Sequence, residues 1–277
     1  MNSDKESTMP SQFILGPIIG GLSHENANLW ARADGPATLH AWIGQQPDLS
    51  DAQLAGKSLP LRAEDGYAGV VPLRKLKPET RYHYAVTLKG TRPKPSEQPF
   101  PHFTTFPKPG AHRSFAFAFG SCFCPKDENG GQIFRRMDEQ RQTDDLRFLL
   151  MIGDQVYTDL WKYNSLGKVA ATLSEYRAVY AYTFSRPPLR DLLTRLPVFM
   201  TLDDHEVDDD WRWLDFKRRW ATIPWWDKVQ RWLDGRPPEE RYLSRGRVRE
   251  ALPKAYSAGL LGTPGNARPA LSDSPAG

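Results

Sequence analysis

Between Phe13 and Phe106 short apolar runs alternate with turn-forming residues: FILGPII, ANLWARA, TLHAWIG, GYAGVVPL, YHYAVTL and HFTTF. Runs of this kind with period-2 alternation predict an all-β sandwich over residues 13–106. In LKPETRYHYAVTL a proline-containing turn leads into a strand that puts Tyr82, Tyr84 and Val86 on one face, which is expected to be core. Nothing in these strands calls for the rest of the chain, so the sandwich is expected to fold alone.

The stretch PKPGAH, residues 107–112, reads as a linker, and the pattern changes after it. FAFAF predicts an apolar strand, GQIFRRMDEQRQ a helix, and LRFLLMIGD a strand whose long apolar run suggests burial on both faces. A helical region is expected from Lys168 to Leu196, broken at Pro187 and Pro188, before VFMTLDD supplies a third buried strand. This is an α/β rhythm, and it places a second domain over residues 113–256. Six of the nine tryptophans follow from Trp211 onward, either as an aromatic lid or, the favoured reading, as core. The last stretch, residues 257–277, is rich in Gly, Pro and Ser and is expected to be disordered.

Composition narrows the classes. The 277 residues are 39% hydrophobic and 25% charged, which is ordinary for a globular protein. No run approaches the ~20 apolar residues of a membrane span, and MNSDKESTMPSQ has neither a basic nor an apolar signal region, so a cytoplasmic address and no membrane partner are expected. A net charge of +4 is spread along the chain without a basic stripe, so nucleic acid is not a favoured partner. Cys122 and Cys124 lie two apart in an extended stretch, which points their side chains to opposite faces and disfavours a disulfide.

Chemistry concentrates at three strand ends: Gly120-Ser121-Cys122, Gly153-Asp154-Gln155-Val156-Tyr157 and Asp203-Asp204-His205-Glu206. In open α/β sheets ligands bind beyond the carboxyl ends of the strands, so these ends are expected to meet in one crevice. Hard oxygen donors suit magnesium, calcium or manganese, whereas thiolate and phenolate favour a transition metal such as iron. Taken singly, each motif has a plainer account. Gly-Asp is commonly a turn, a lone cysteine is commonly a small buried hydrophobe, and the acidic block can cap a helix. Three carboxylates around one histidine repel one another without a cation, and the three motifs together favour a metal site.

FAFGSC, FLLMIGDQVYTD and VFMTLDDHEVDDDW resemble the Gly-Ser-Cys, Gly-Asp-x-x-Tyr and Asp-Asp-His-Glu blocks of the PhoD-like alkaline phosphatases and phosphodiesterases. GPIIGGLSHENANLWAR and LKPETRYHYAV are similar to that family's small β-sandwich, so the likeness spans about Phe13 to Trp211. The resemblance implies a metallophosphoesterase-like α/β catalytic sheet preceded by an immunoglobulin- or fibronectin-like all-β sandwich. It implies a small phosphate-ester substrate and a centre of ferric iron and calcium, other divalent metals remaining open. Cys122 and Tyr157 would bind the iron, Asp154 would bridge the metals, and Asp204 would hold the second ion, with Asp203 counted among the ligands. His205 and Asp154 would be the catalytic pair, His205 steadying the phosphoryl group or protonating the leaving oxygen.

The family's late Gly-Asp-x-His block has no counterpart here, His205 being the last of six histidines. The expectation is a truncated catalytic half with an uncovered apolar sheet face, impaired turnover, and self-association through that face and the Trp-rich segment. The alternatives are a catalytically inactive binding or vestigial module and, on composition alone, a carbohydrate or peptide binder using the tryptophans.

Overall fold

The structure, a computed structural model, describes residues 11–125, 129–141 and 143–207. Strands β1 (Phe13–Gly20), β2 (Ala27–Ala33) and β5 (Ala68–Leu73) form one sheet in the order β1-β2-β5. Strands β3 (His40–Gly44), β4 (Gln53–Lys57), β6 (Arg81–Thr87) and β7 (His102–Thr104) form another in the order β4-β3-β6-β7. Every pairing in both sheets is antiparallel. Ile19, Leu29, Leu39, Val71, Leu73 and Tyr84 fill the space between them, so the expected sandwich is present. Tyr82 and Tyr84 are buried in that core and Val86 packs against it, but His83, between them, is buried as well. Strand β4 was not among the runs read as strands. Its sequence, QLAGK, has a single large apolar residue and lies at a sheet edge, where the alternation that marks a half-buried strand is lost. Pro72 is tolerated inside β5 because that strand has only β2 beside it.

The second unit contains β8 (Ala116–Gly120), α1 (Gln132–Gln140), β9 (Leu146–Met151), α2 (Leu173–Phe184), α3 (Pro187–Leu193) and β10 (Val198–Met200). Its sheet runs β10-β9-β8 with both pairings parallel, so all three strands deliver their carboxyl ends to the same edge. One face, carrying Leu149, Met151 and Val198, packs under the helices against Tyr176, Val179 and Leu192. No helix among the described residues is long and apolar enough to cross a membrane.

Two expectations need correction. The helical region does not start at Lys168: α2 begins at Leu173, with Thr172 as N-cap in a reciprocal capping box with Glu175. The expected break at the prolines is present: α2 ends at Phe184, and Pro187 and Pro188 open α3, where a missing N–H costs nothing. Burial of β9 on both faces also fails. The face opposite the helices carries Phe115, Phe117, Phe119, Phe148 and Phe199, and Phe117 and Phe119 are 50% and 65% exposed. The Phe117 and Phe148 rings stack 5.0 Å apart, and Phe106 adds its ring 5.7 Å from Phe148. The β8 edge of this face is therefore exposed among the described residues, whereas Phe199 packs against the core of the sandwich. The Trp-rich segment and the 257–277 tail lie outside the described residues.

Nor does the sandwich stand apart. Leu15, Ile18 and Trp30 belong to the core of the α/β unit, Phe199 packs against the core of the sandwich, and the buried Tyr84 hydroxyl donates 2.7 Å to the Thr194 carbonyl. A fragment cut at residue 106 would expose those three side chains, so the strands do draw on the rest of the chain.

Candidate metal centre

The backbone at two of the three strand ends is bent hard. Cys122, Gly153 and Asp154 all have positive φ, at 62°, 106° and 51°. A side chain at Gly153 would collide with that of Asp203 and sit 2.9 Å from the Asp203 nitrogen, so only glycine fits. The two non-glycine residues in this region carry strain that their surroundings must enforce, a pattern concentrated at functional sites. The enforcement is visible. Cys122 N donates to Gly153 O at 3.4 Å and Phe123 N to Asp154 O at 3.0 Å, which ties the β8 end to the β9 end.

Glu206 ties the β9 end to the β10 end. Fully buried, its carboxylate accepts from the backbone nitrogens of Asp154 (3.1 Å), Gln155 (2.7 Å), Val156 (3.3 Å) and Asp203 (2.8 Å). Burial raises its pKa and the hydrogen bonds from Asp203 and Asp154 oppose that, leaving it at about 7. Thr158 completes the tie, its N and Oγ1 reaching the His205 carbonyl at 3.0 and 3.1 Å.

The side chains so placed converge. Asp154, Asp204 and His205 each offer a ligand atom within 4.8 Å of the others, with Asp154 buried and the other two half-buried. Cys122 Sγ lies 3.4 Å from Asp154 Oδ2, and Tyr157 hydrogen-bonds the Cys122 thiol while its ring lies 4.5 Å from that of His205, tilted by 38°. Of the residues expected in the site, Cys122, Asp154, Tyr157, Asp204 and His205 thus come together. Asp203 is exposed, packs beside Gly153 and lies outside the trio.

Without a cation the cluster is electrostatically uncomfortable. Burial raises the Asp154 pKa and Asp204 raises it further, against the charge of His205 and the Cys122 hydrogen bond. The Cys122 thiol is pulled down by Ser121 but pushed up more by burial and Asp154, and Tyr157 is raised by burial and then by Asp154. Each group is held toward its protonated form, and a bound cation would reverse that by favouring the charged donors. The donor set of two carboxylates, a thiol, a phenol and an imidazole fits a mixed site with both hard and soft ligands.

Two residues of the site were not singled out from sequence. Asp159, fully buried, places Oδ2 and Oδ1 3.0 and 3.2 Å from His205 Nδ1. Burial alone would lower the His205 pKa, yet the Asp159 hydrogen bond and charge, joined by Asp154 and Asp204, push it up to about 9. Glu206 was seen only as part of an acidic block. Spacing cannot distinguish a ligand from a group that braces a loop, and Asp159 sits in a loop that no periodicity marks.

A three-stranded parallel sheet with these donors at its carboxyl edge, packed on a β-sandwich, is a metallophosphoesterase-like fold. Residues 115–224 match the family model of the PhoD-like phosphatases. A solved structure of PhoD superposes with a TM-score of 0.63 at 19% identity, covering 90% of this chain and 46% of its own length. The chain thus spans about half of that protein. A purple acid phosphatase from yellow lupin (Lupinus luteus) seeds gives a TM-score of 0.48 at 15% identity, over 71% of this chain and 36% of that one. No curated protein matches the chain by sequence.

Proposed function

We propose that this chain hydrolyses phosphate esters, mono- or diesters, at a metal centre held by Cys122, Asp154, Tyr157 and Asp204. The observation that carries this reading is the convergence of Asp154, Asp204 and His205 within 4.8 Å at the carboxyl edge of a parallel sheet. When bound there, a metal lowers the pKa of its water and polarises the phosphoryl oxygens. By resemblance the metals are ferric iron and calcium, the thiol and phenol serving the softer ion and the carboxylates the harder one.

The chain's own residues supply the rest. Asp159 accepts from His205 Nδ1–H, which fixes the imidazole plane and leaves Nε2 for the substrate. From there Nε2–H can donate to a phosphoryl oxygen or protonate the leaving oxygen. Tyr157 packs against the same ring and limits its rotation. The backbone clamp made by Glu206 keeps Asp154 and His205 in register, as positioning requires.

The test is turnover of p-nitrophenyl phosphate and bis(p-nitrophenyl) phosphate by the purified chain, with bound iron and calcium measured in the same sample. Asp154→Asn is expected to remove both bound metal and turnover. Turnover that survives this substitution overturns the site. Bound metal without turnover on either substrate supports the alternative of a catalytically inactive binding module.

A further inference from the structure

A cavity of about 710 Å³ opens between the sandwich and the α/β unit, on the sheet edge opposite the candidate metal centre. Its walls include Asp145 and Leu146 at the start of β9 and Pro197 just before β10, whereas Asp154 and Asp204 follow the far ends of those strands. At ~3.3 Å per residue the six-residue β9 separates the two places by roughly 20 Å. The cavity is therefore not an extension of the metal centre.

Its chemistry is cationic. Four arginines, Arg81, Arg141, Arg147 and Arg195, line it against two carboxylates, Asp138 and Asp145. Arg147 Nε pairs with Asp145 at 2.7 Å. Asp138 is shared, taking Arg141 Nε at 3.2 Å and Arg195 Nη1. Among the described residues Arg81 forms no ion pair, so two guanidinium charges stand without a matching carboxylate in the lining.

Arg141 matters most because its side chain is only 9% exposed. A buried guanidinium that owns half of one carboxylate is a costly arrangement unless another anion arrives. Its remaining polar contact is to a neutral group: Nη1 lies 3.3 Å from His102 Nε2, which must then accept. Burial, then Arg141, lowers the His102 pKa to about 4, so this imidazole adds no charge of its own. His83, 5.1 Å away ring to ring, is fixed by its Nδ1 contact to the Phe100 carbonyl at 2.9 Å. The wall is also built in advance, since the Tyr84 hydroxyl bound to Thr194 O holds the sandwich against the turn that presents Arg195.

We propose that this cleft binds a small phosphate-type oxyanion, at a site separate from the candidate metal centre. The volume suits a small molecule, and planar guanidinium groups recognise phosphoryl oxygens in pairs. A ligand there would touch both units at once and so strengthen their junction. Free phosphate and an esterified phosphoryl group share this chemistry.

The experiment titrates the full chain, stripped of metal with EDTA and dialysed, by calorimetry at constant ionic strength. One arm uses inorganic phosphate and the other phenylphosphonate, which cannot be hydrolysed. Saturable binding is expected in the parent chain and in Asp154→Asn, the latter showing that the metal centre is not the site. Affinity is expected to fall at least tenfold in Arg141→Met and in the exposed pair Arg81→Gln/Arg195→Gln, which leaves Arg141 its Asp138 partner. Binding in both arms assigns recognition to the phosphoryl group alone, and binding of phenylphosphonate only assigns it to an ester. No saturable heat in either arm, unchanged affinity in the Arg81→Gln/Arg195→Gln pair, or loss in Asp154→Asn overturns the proposal.

Discussion

Asp159 Oδ2 lies 3.0 Å from His205 Nδ1, a contact between the loop after β9 and the loop after β10 that is shut off from water on the carboxylate side. The carboxylate orients the ring, so its removal should damage the placement of the imidazole more than the fold. Asp159→Asn keeps size and a hydrogen-bonding group but loses the charge. On the phosphoesterase reading, kcat should fall by about 10- to 100-fold with KM little changed, as for other partners that orient a functional histidine. Steady-state kinetics on the metal-loaded chain decide this. An equal loss in kcat and metal content would instead make Asp159 a scaffold residue.

Glu206 satisfies four backbone N–H groups at once, and its own position in the acidic block suggests a ligand only if that is overlooked. Glu206→Ala leaves those donors without a partner in a buried place, each costing about 1–3 kcal/mol. We expect a fall in Tm of ten degrees or more, together with loss of bound metal. Denaturation followed by circular dichroism measures the first, and metal analysis the second. Full stability with metal lost would show that Glu206 coordinates and does not brace.

The sandwich, the α/β sheet and the ordering of site residues were legible in the sequence because period-2 runs and strand-end motifs are local signals. Gly153 and Asp154 announced a turn, and Cys122 its place at the end of an apolar strand. What was not legible depends on contacts between segments distant in sequence. Asp159 and His205 are 46 residues apart, and nothing in either neighbourhood names the other. The merging of the two cores through Leu15, Ile18 and Trp30 was invisible for the same reason: their alternation fits a strand whichever side they pack against. Strand β4 and the Lys168–Thr172 segment were misread because edge strands and helix approaches carry little apolar pattern.

The capping box at α2 closes the loop that carries Asp159, and Glu175 is its acidic half. The Lys168 hydrogen bond, then the backbone N–H groups of Thr172 and Ala171, hold its carboxyl down at about 2 against the opposing effect of burial. A folded-state pKa below the unfolded one means the stabilisation is fully present above about 4.5 and lost as pH falls toward 2. Glu175→Gln should therefore flatten that part of the stability curve, while Glu175→Ala should cost about 1 kcal/mol near neutral pH, as loss of a cap does. Urea unfolding at several pH values reads both. An unchanged acid slope in Glu175→Gln would remove Glu175 from the acid response.

The aromatic face of the β10-β9-β8 sheet leads to the last expectation, self-association of the chain. Phe115, Phe117 and Phe119 stand on one edge strand at 40%, 50% and 65% exposure, with Phe148 stacked beside them. A phenylalanine side chain offers on the order of 150–250 Å² to burial, so these three present roughly 300 Å² of apolar surface per copy. That is well short of the ~800 Å² per partner of a stable interface, so pairing through this face alone should be weak and concentration-dependent. A second copy is a suitable occupant because a twofold pairing would set these exposed rings against their own counterparts. Sedimentation of the full chain across a hundredfold range of concentration should show a reversible shift from monomer toward dimer. Phe117→Ser/Phe119→Ser should abolish that shift without lowering Tm, since neither ring is enclosed in the fold. A monomer at every concentration overturns self-association through this face, and a marked loss of Tm in the double variant shows instead that the rings are covered from within the chain.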